Sequence, residues 1–135
     1  MTDTSSAFEF EIVTPEQQAF SGAVERVDIP GVNGMFGVLA NHAPLIAALG
    51  SGILRIVQAG QITKQFFIYG GFAEVTKQRC TVLATYLVDI AGVEKAQVEG
   101  EIAQLQSVLE SSINEDEKIR IALQLKQLNA LIEFV

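Results

Sequence analysis

A change in residue pattern near residue 91 restricts the fold of this 135-residue chain more than any other feature. Before this point lie all three prolines, nine of the eleven glycines and nine of the ten aromatic residues. From Val93 onward, apolar residues recur at the spacing of one helix face, whereas the earlier segments show the alternation and turn residues of strands. The pattern predicts an α+β fold, mainly β, in which a sheet domain over residues 1–90 precedes a helical domain over residues 91–135.

Short apolar segments separated by turn residues predict a strand-rich first domain. Phe8, Phe10 and Ile12 alternate with two glutamates, as in a strand with one wet face. Two glycine clusters, at residues 50–52 and 70–71, are predicted to end strands. Many short strands at close spacing favour an antiparallel β-sandwich. The remaining predicted strands cover residues 23–30, 35–39, 45–49, 53–57, 62–69, 72–75 and 80–86.

The second domain is predicted to be an antiparallel two-helix hairpin. Asn114, with Glu117 three residues later, matches a capping box, so the second helix is expected to begin there. Gly100 lies inside the first helix, which implies either a close backbone approach or a weak helix. The second helix carries two apolar stripes, of which a hairpin buries only one. The stripes are Ile121, Leu125, Leu128 and Ile132 on one side, and Ile119, Leu123, Ala130 and Phe134 on the other.

The composition argues against several classes of partner and location. A formal net charge of -7 disfavours binding to nucleic acid or to an anionic membrane, since both need a basic patch. No apolar run approaches the roughly 20 residues that span a bilayer. The lone Cys80 cannot form an internal disulfide, and the start M-T-D-T-S-S lacks the character of a signal peptide, so a cytoplasmic location is expected.

Candidates for catalysis and metal binding are few. A nucleophile needs a base within hydrogen-bond reach, and no sequence pattern pairs His42, the only histidine, with Cys80 or a serine. One histidine and one cysteine do not supply the ligand set that zinc requires. Cys80 alternates with apolar neighbours, as a core thiol does. We therefore expect no catalytic residue, no metal site and no cofactor.

Residues 31–45 form the most distinctive stretch of the chain, G-V-N-G-M-F-G-V-L-A-N-H-A-P-L. Gly31 and Gly34 bracket two residues and favour a tight, projecting turn, because glycine reaches positive φ without strain. Met35 either lies exposed on this tip or turns inward to the core, and the flanking glycines favour the exposed position. Two residues of the next turn are expected to shape it or to form an interface: His42 and Pro44.

This stretch, together with Y-G-G-F-A-E-V at residues 69–75 and E-Q-Q-A-F-S-G at residues 16–22, closely resembles the epsilon subunit of F-type ATP synthases. The equivalent mitochondrial subunit is called delta. The resemblance implies a non-catalytic rotor subunit of the central stalk, which couples rotation of the c-subunit ring through gamma to the catalytic head. It also implies a peripheral position on the cytoplasmic side of the bacterial inner membrane, with membrane contact only through the complex.

The resemblance assigns the projecting turn to the c-subunit ring and the sandwich to the gamma shaft. Many bacterial members carry a carboxylate at the position of Met35. The ring contact of this chain is therefore expected to be more apolar and less sensitive to salt than theirs. The ring-contact residues that the resemblance implies are Gly31, Val32, Asn33, Gly34 and Met35.

The helical tail is the regulatory part of the family. It either folds against the sandwich or extends beside gamma into the head, where it restrains ATP hydrolysis. The alternative for this chain is a tail that stays permanently folded. Contacts with the alpha and beta subunits are expected from three basic residues of the second helix: Lys118, Arg120 and Lys126.

An ATP-associated pattern of the family falls at the start of the first tail helix, on Glu94, Lys95 and Gln97. Gln97 replaces an arginine, and it removes the bidentate cation that suits phosphate. Lys95 is the remaining cation of this segment, and it is expected to substitute for the arginine only in part. If Lys95 does bind the nucleotide, the alternative function of the chain is a free-standing β-sandwich module that senses ATP.

Overall fold

A computed structural model describes residues 7–135 and divides the chain into two compact units, with the boundary between Asp89 and Ile90. Within the described residues, the first unit holds eight strands and the second two helices, which confirms the predicted α+β, mainly β, class. The strands are β1 (Phe8–Val13), β2 (Gln18–Val24), β3 (Arg26–Gly31), β4 (Gly34–Leu39), β5 (Leu45–Gln58), β6 (Gln61–Val75), β7 (Arg79–Ala84) and β8 (Leu87–Asp89). The helices are α1 (Lys95–Ser111) and α2 (Glu115–Leu131), and a short 3-10 turn follows at Ile132–Phe134.

The strands are connected in the order β2-β1-β7-β6-β5-β3-β4, with β8 also paired to β6. The two long strands, β5 and β6, pair with each other. β6 also pairs with β8 near its middle and with β7 over its last residues. One described pair, β1 with β7, is parallel and departs from the predicted antiparallel arrangement. These two strands are far apart in the sequence, so no local turn pattern reveals their relative direction.

The core of the first unit is built from the inward-facing residues of its strands. Phe8, Phe10 and Ile12 are buried while Glu9 between them is exposed, as the alternation predicts. Cys80 belongs to the same core cluster and is fully buried, which confirms the prediction of a core thiol. Burial of such apolar surface is the main force that stabilises the sandwich.

The predicted strand break at residues 50–52 is wrong, because β5 continues through them. A Cβ on Gly50 would lie 3.2 Å from the carbonyl oxygen of Gly31, and a Cβ on Gly52 would lie 3.0 Å from the Cβ of Pro30. The glycines therefore let β5 approach β3 closely and do not form a turn.

The predicted break at residues 70–71 is also wrong, because β6 is continuous there. Gly70 and Gly71 have φ angles of 81° and 131°. They supply a kink inside the strand, near the point where the neighbour of β6 changes from β8 to β7. A kink and a turn both use glycine, so the sequence does not distinguish them.

Two other predicted strands differ in their bounds. The prediction for residues 23–30 is replaced by β2, which starts earlier, and β3, with Glu25 between them. The strand predicted at residues 80–86 ends earlier, because β7 stops at Ala84, and the short β8 is a further strand after it. In both cases the apolar pattern continues across a bend, and pattern alone does not reveal where the hydrogen-bonding partner changes.

Both predicted helices are present. The side-chain oxygen of Asn114 accepts a hydrogen bond of 3.1 Å from the backbone N–H of Glu117, so the predicted cap is confirmed. A Cβ on Gly100 would meet no atom within 4 Å, and the close-approach explanation of this glycine is therefore wrong among the described residues. No helix of the described residues is both long and apolar enough to cross a membrane.

The two apolar stripes of α2 differ in exposure. Ile121, Leu125 and Leu128 of the first stripe are buried. In the second stripe, Ile119 is 69% exposed and Leu123 is 49% exposed. The prediction that only one stripe is covered agrees with these values.

Candidate functional site

The tip is the turn between β3 and β4, residues 31–35. Gly31 and Gly34 pair across it, and only Gly34 has a positive φ, of 119°. Gly31 serves close packing, since a Cβ there would lie 3.0 Å from the carbonyl oxygen of Gly34. Val32 is 60% exposed and Met35 is 52% exposed, so Met35 does not turn inward to the core.

A backbone contact joins the tip to β5. The N–H of Val32 donates a hydrogen bond of 3.0 Å to the carbonyl oxygen of Ala48. Gly50 allows this approach, because a Cβ on it would lie only 3.2 Å from the carbonyl oxygen of Gly31 at the start of the tip. The tip is thus held by the strand beside it, with its apolar side chains in solvent.

The turn that contains His42 and Pro44 lies at the other end of β4 from the tip, roughly 17 Å away along the strand. Asn41 has a φ of 64°, and its N–H donates to the carbonyl oxygen of Lys77 at 3.0 Å. The Nδ1 of His42 donates to the carbonyl oxygen of Ala43 at 2.7 Å. The structure therefore does not bring His42 and Pro44 together with the ring-contact residues.

A row of apolar side chains crosses the outer face of four adjacent strands, β1, β7, β6 and β5. Strand pairing places its members directly side by side. Phe72 is 58% exposed and Leu83 is 54% exposed, whereas Ala73, Val82 and Ala84 beside them are buried. We call this set the apolar row; its members are Val13, Leu83, Phe72 and Ala48.

The apolar row is bordered by a mostly polar row and by the tip. The next cross-strand row contains Glu11, Thr81 and Glu74, followed by the exposed Ile46. On the other side, the backbone bond from Val32 reaches Ala48, the last member of the apolar row. The apolar row therefore ends beside the tip.

Sequence reasoning did not identify the apolar row. Its signal is that Val13, Phe72 and Leu83 occupy positions that a strand with one wet face usually gives to polar residues. Recognising it needs the register of four strands, one pair of which is parallel. The register is set by contacts far apart in sequence, so the side-by-side arrangement appears only in the fold.

The basic residues predicted for head contacts lie on α2. Lys118 pairs with Glu115 at 3.5 Å, between side chains one turn apart. Arg120 and Lys126 are exposed, and neither has an ion pair within 4 Å among residues 7–135. A charged partner would therefore meet two cations that the described chain leaves unpaired.

The segment with the ATP-associated pattern is exposed at the start of α1. Glu94 occupies the N-cap position but makes no side-chain cap hydrogen bond. Lys95 and Gln97 are exposed in the first turn. Lys95 is a single ammonium group, so the segment lacks the bidentate donor with which an arginine would bind phosphate.

The thiol of Cys80 is buried, and the metal-binding residue types of the described chain are scattered. Burial raises the pKa of the Cys80 thiol to about 12, so the thiol stays protonated and is a poor nucleophile at neutral pH. Among the described residues, no three His, Cys, Asp or Glu side chains are grouped to hold a metal ion.

A shallow cleft of about 720 Å³ lies at the end of the sandwich that contains the β5–β6 turn. Its charged groups already have partners in the chain. Arg26 pairs with Asp28 at 3.2 Å, and the carboxylate of Glu25 accepts a hydrogen bond of 2.6 Å from the N–H of Gly60. The cleft is lined by Glu25, Arg26, Leu39, Ala40, Asn41, Val57, Gly60 and Ile62.

Comparison with known proteins identifies the family to which this fold belongs. Residues 7–90 match the family described as ATP synthase, Delta/Epsilon chain, beta-sandwich domain. A protein named ATP synthase epsilon chain from Rhodospirillum rubrum is 39% identical over 114 residues, covering 84% of this chain and 85% of the relative. The chain belongs to the ATP synthase delta/epsilon family. Another epsilon chain, from Nitrobacter winogradskyi, is 44% identical over 104 residues, covering 77% of this chain and 76% of the relative.

Two solved structures share the delta/epsilon fold. One is the Euglena gracilis mitochondrial ATP synthase, OSCP/F1/c-ring in rotational state 1, with a TM-score of 0.71 and 20% identity, covering 96% of this chain and 82% of that chain. The other is the central stalk/c-ring of the Tetrahymena thermophila mitochondrial ATP synthase, with a TM-score of 0.55 and 14% identity, covering 93% and 91%. At these identities the likeness concerns the fold alone.

The delta/epsilon match covers some of the candidate residues and leaves out others. The tip, the apolar row and the turn with His42 all fall within residues 7–90. The exposed segment at Glu94 and the basic residues of α2 fall outside that range. The sandwich surface is thus the part of the candidate site that belongs to the matched family domain.

Proposed function

We propose that this delta/epsilon chain is a rotor subunit of the central stalk of an F-type ATP synthase, on the cytoplasmic side of a bacterial inner membrane. In this proposal the sandwich binds gamma, the tip contacts the c-subunit ring, and the chain performs no catalysis itself. The observation that carries it is the exposed apolar row, which ends beside the exposed apolar tip. The name of the Tetrahymena structure, central stalk/c-ring, supports this context.

The apolar row has the character of a surface that is covered in a complex. Exposed apolar patches with polar borders mark protein interfaces, and aromatic residues are enriched at their centres. Phe72 lies between Leu83 and Ala48, and the neighbouring row supplies the polar border at Glu74 and Thr81. We assign the apolar row to gamma, because a long shaft offers an extended surface to one face of a sheet.

The tip suits a contact with the ring. Val32 and Met35 project from it, and the bond between Val32 and Ala48 fixes its position on β5. A fixed turn loses little conformational freedom on binding, which favours affinity. Because the two exposed side chains are apolar, binding to the ring should depend only weakly on ionic strength.

Assembly with gamma is the experiment that tests the proposal. The tagged full-length chain, mixed with gamma, is expected to retain gamma on an affinity column, and the pair is expected to retain the c-subunit ring. Retention should persist at high salt, since the proposed contacts are apolar. A properly folded chain that fails to retain gamma would exclude the rotor function.

We further propose that the helical unit restrains ATP hydrolysis through contacts with the alpha and beta subunits. The exposed stripe with Ile119 and Leu123 offers an apolar contact surface, and Arg120 and Lys126 offer unpaired cations. A surface of this kind can be covered by different partners in different states of the complex.

Removal of the helical unit tests this restraint. The chain cut after Ile90 is expected to assemble with gamma and the ring, because the sandwich surface is retained. The ATP hydrolysis rate of the reconstituted complex is expected to rise above that of the complex with the full chain. Equal rates in the two complexes would indicate a tail that has no inhibitory role.

A further inference from the structure

Asn33 combines an exposed position with a following glycine, and the proposed docking role makes no use of its side-chain amide. Of the four asparagines in the chain, it is the only one that precedes glycine. Asn33 is exposed in the tip, and a Cβ on Gly34 would meet no atom within 4 Å. We propose that Asn33 is a site of spontaneous deamidation, which converts the tip from a neutral to an anionic form.

The reaction requires only these two residues and water. The deprotonated backbone nitrogen of Gly34 attacks Cγ of Asn33, so that an N–Cγ bond forms, the Cγ–Nδ2 bond breaks and ammonia leaves. Water then opens the resulting succinimide ring at either carbonyl, which gives aspartate or isoaspartate without oxidation or reduction. Gly34 favours ring closure, because the missing side chain leaves the attacking nitrogen unobstructed.

The other asparagines lack this combination of features. Asn41 is exposed but precedes His42, whose side chain hinders the attacking nitrogen. The side-chain oxygen of Asn114 is engaged by the N–H of Glu117 at 3.1 Å. Asn129 lies within α2, where the helical backbone keeps the next nitrogen away from its side chain. Asn33 is therefore expected to react first.

The change would alter the chemistry of the tip. An aspartate side chain has a pKa of about 3.9 and is ionised at neutral pH. The new charge lies next to Val32 and near Met35, the exposed apolar residues of the tip. This consequence rests on the proposed function: covering an unpaired carboxylate in an apolar contact costs free energy, so the modified tip binds the ring less tightly.

Incubation of the purified full-length chain in mildly alkaline buffer tests the modification itself. Peptide mass spectrometry is expected to show that the mass of the peptide with Asn33 increases with time by the difference between an acid and an amide. Aspartate and isoaspartate should both be present at this position. The rate should rise with pH, because the attacking nitrogen must lose its proton. Asn41 serves as the internal control and should keep its amide. No gain at Asn33, or an equal gain at Asn41, would overturn the proposal.

Two variants separate this proposal from the rotor function. Asn33→Gln keeps an amide but resists ring closure, because glutamine would have to form a larger ring, and its own affinity for the c-subunit ring is expected to be the same before and after alkaline incubation. Asn33→Asp is expected to bind the c-subunit ring about tenfold more weakly than Asn33→Gln. Equal binding of both variants would overturn the effect on docking, with the mass result intact. Failure of the fresh chain to bind would overturn the rotor function instead.

Discussion

Replacement of Phe72 by aspartate is expected to weaken binding of the chain to gamma by about 30-fold or more, while the sandwich stays folded. Phe72 lies in the middle of the apolar row, between Leu83 and Ala48, and is 58% exposed. A carboxylate at this point would lose its water when gamma covers the surface, and the aromatic contact area would be lost as well. Titration of gamma with each purified variant measures the dissociation constant.

Leu39→Asp is the matched control for this prediction. Leu39 is also 58% exposed, but it lies at the end of β4 that is remote from the tip and outside the apolar row. Its variant is expected to bind gamma with nearly the affinity of the unmodified chain. Circular dichroism and thermal unfolding should show both variants folded. An equal loss of affinity in both variants, or none in the Phe72 variant, would refute the assignment of the row.

Replacement of Gly71 by alanine is expected to lower the free energy of unfolding by about 3 kcal/mol, the upper part of the range for strained backbone positions. Gly71 has a φ of 131°, which residues with a Cβ rarely adopt. The added methyl would also overlap the carbonyl oxygen of Leu83 in the neighbouring strand. Since that oxygen belongs to the backbone of β7, the clash is relieved only by moving a strand. Urea unfolding of the two proteins measures the difference.

Gly22→Ala provides the same substitution at a strand position with room for it. A Cβ on Gly22 would meet only the ring of Phe20, at 3.7 Å, and its φ is not in the left-handed region. Its free energy of unfolding is expected to change by no more than about 0.5 kcal/mol. A Gly71 variant as stable as the Gly22 variant would show that the kink in β6 accepts a side chain.

Most of the fold could be predicted from local sequence patterns. The alternation in β1, the cap at Asn114 and the two stripes of α2 each depend on residues within a few positions of one another, so the sequence reveals them directly. The breaks predicted at residues 50–52 and 70–71 failed for the opposite reason. There the glycines are needed because a neighbouring strand, distant in sequence, lies too close for a side chain. The close contact is with Pro30 for Gly52 and with Leu83 for Gly71.

The candidate site also has a part that depends on local sequence and a part that depends on distant contacts. The tip is a local feature, and its exposed Val32 and Met35 follow from a turn that the sequence displays. The apolar row is not local, because Val13, Leu83 and Phe72 meet only through the register of three strands. The positions of His42 and Pro44 relative to the tip also depended on the fold, since β4 lies between them.

The buried Cys80 makes the chain well suited to site-specific labelling. It is the only cysteine, and its thiol is fully buried with a pKa of about 12, so reagents that need an exposed thiolate leave it untouched. A cysteine introduced at an exposed position such as Val32 would be the sole reactive thiol of the protein. Fluorophores or cross-linkers can therefore be attached to the tip without first removing the native residue.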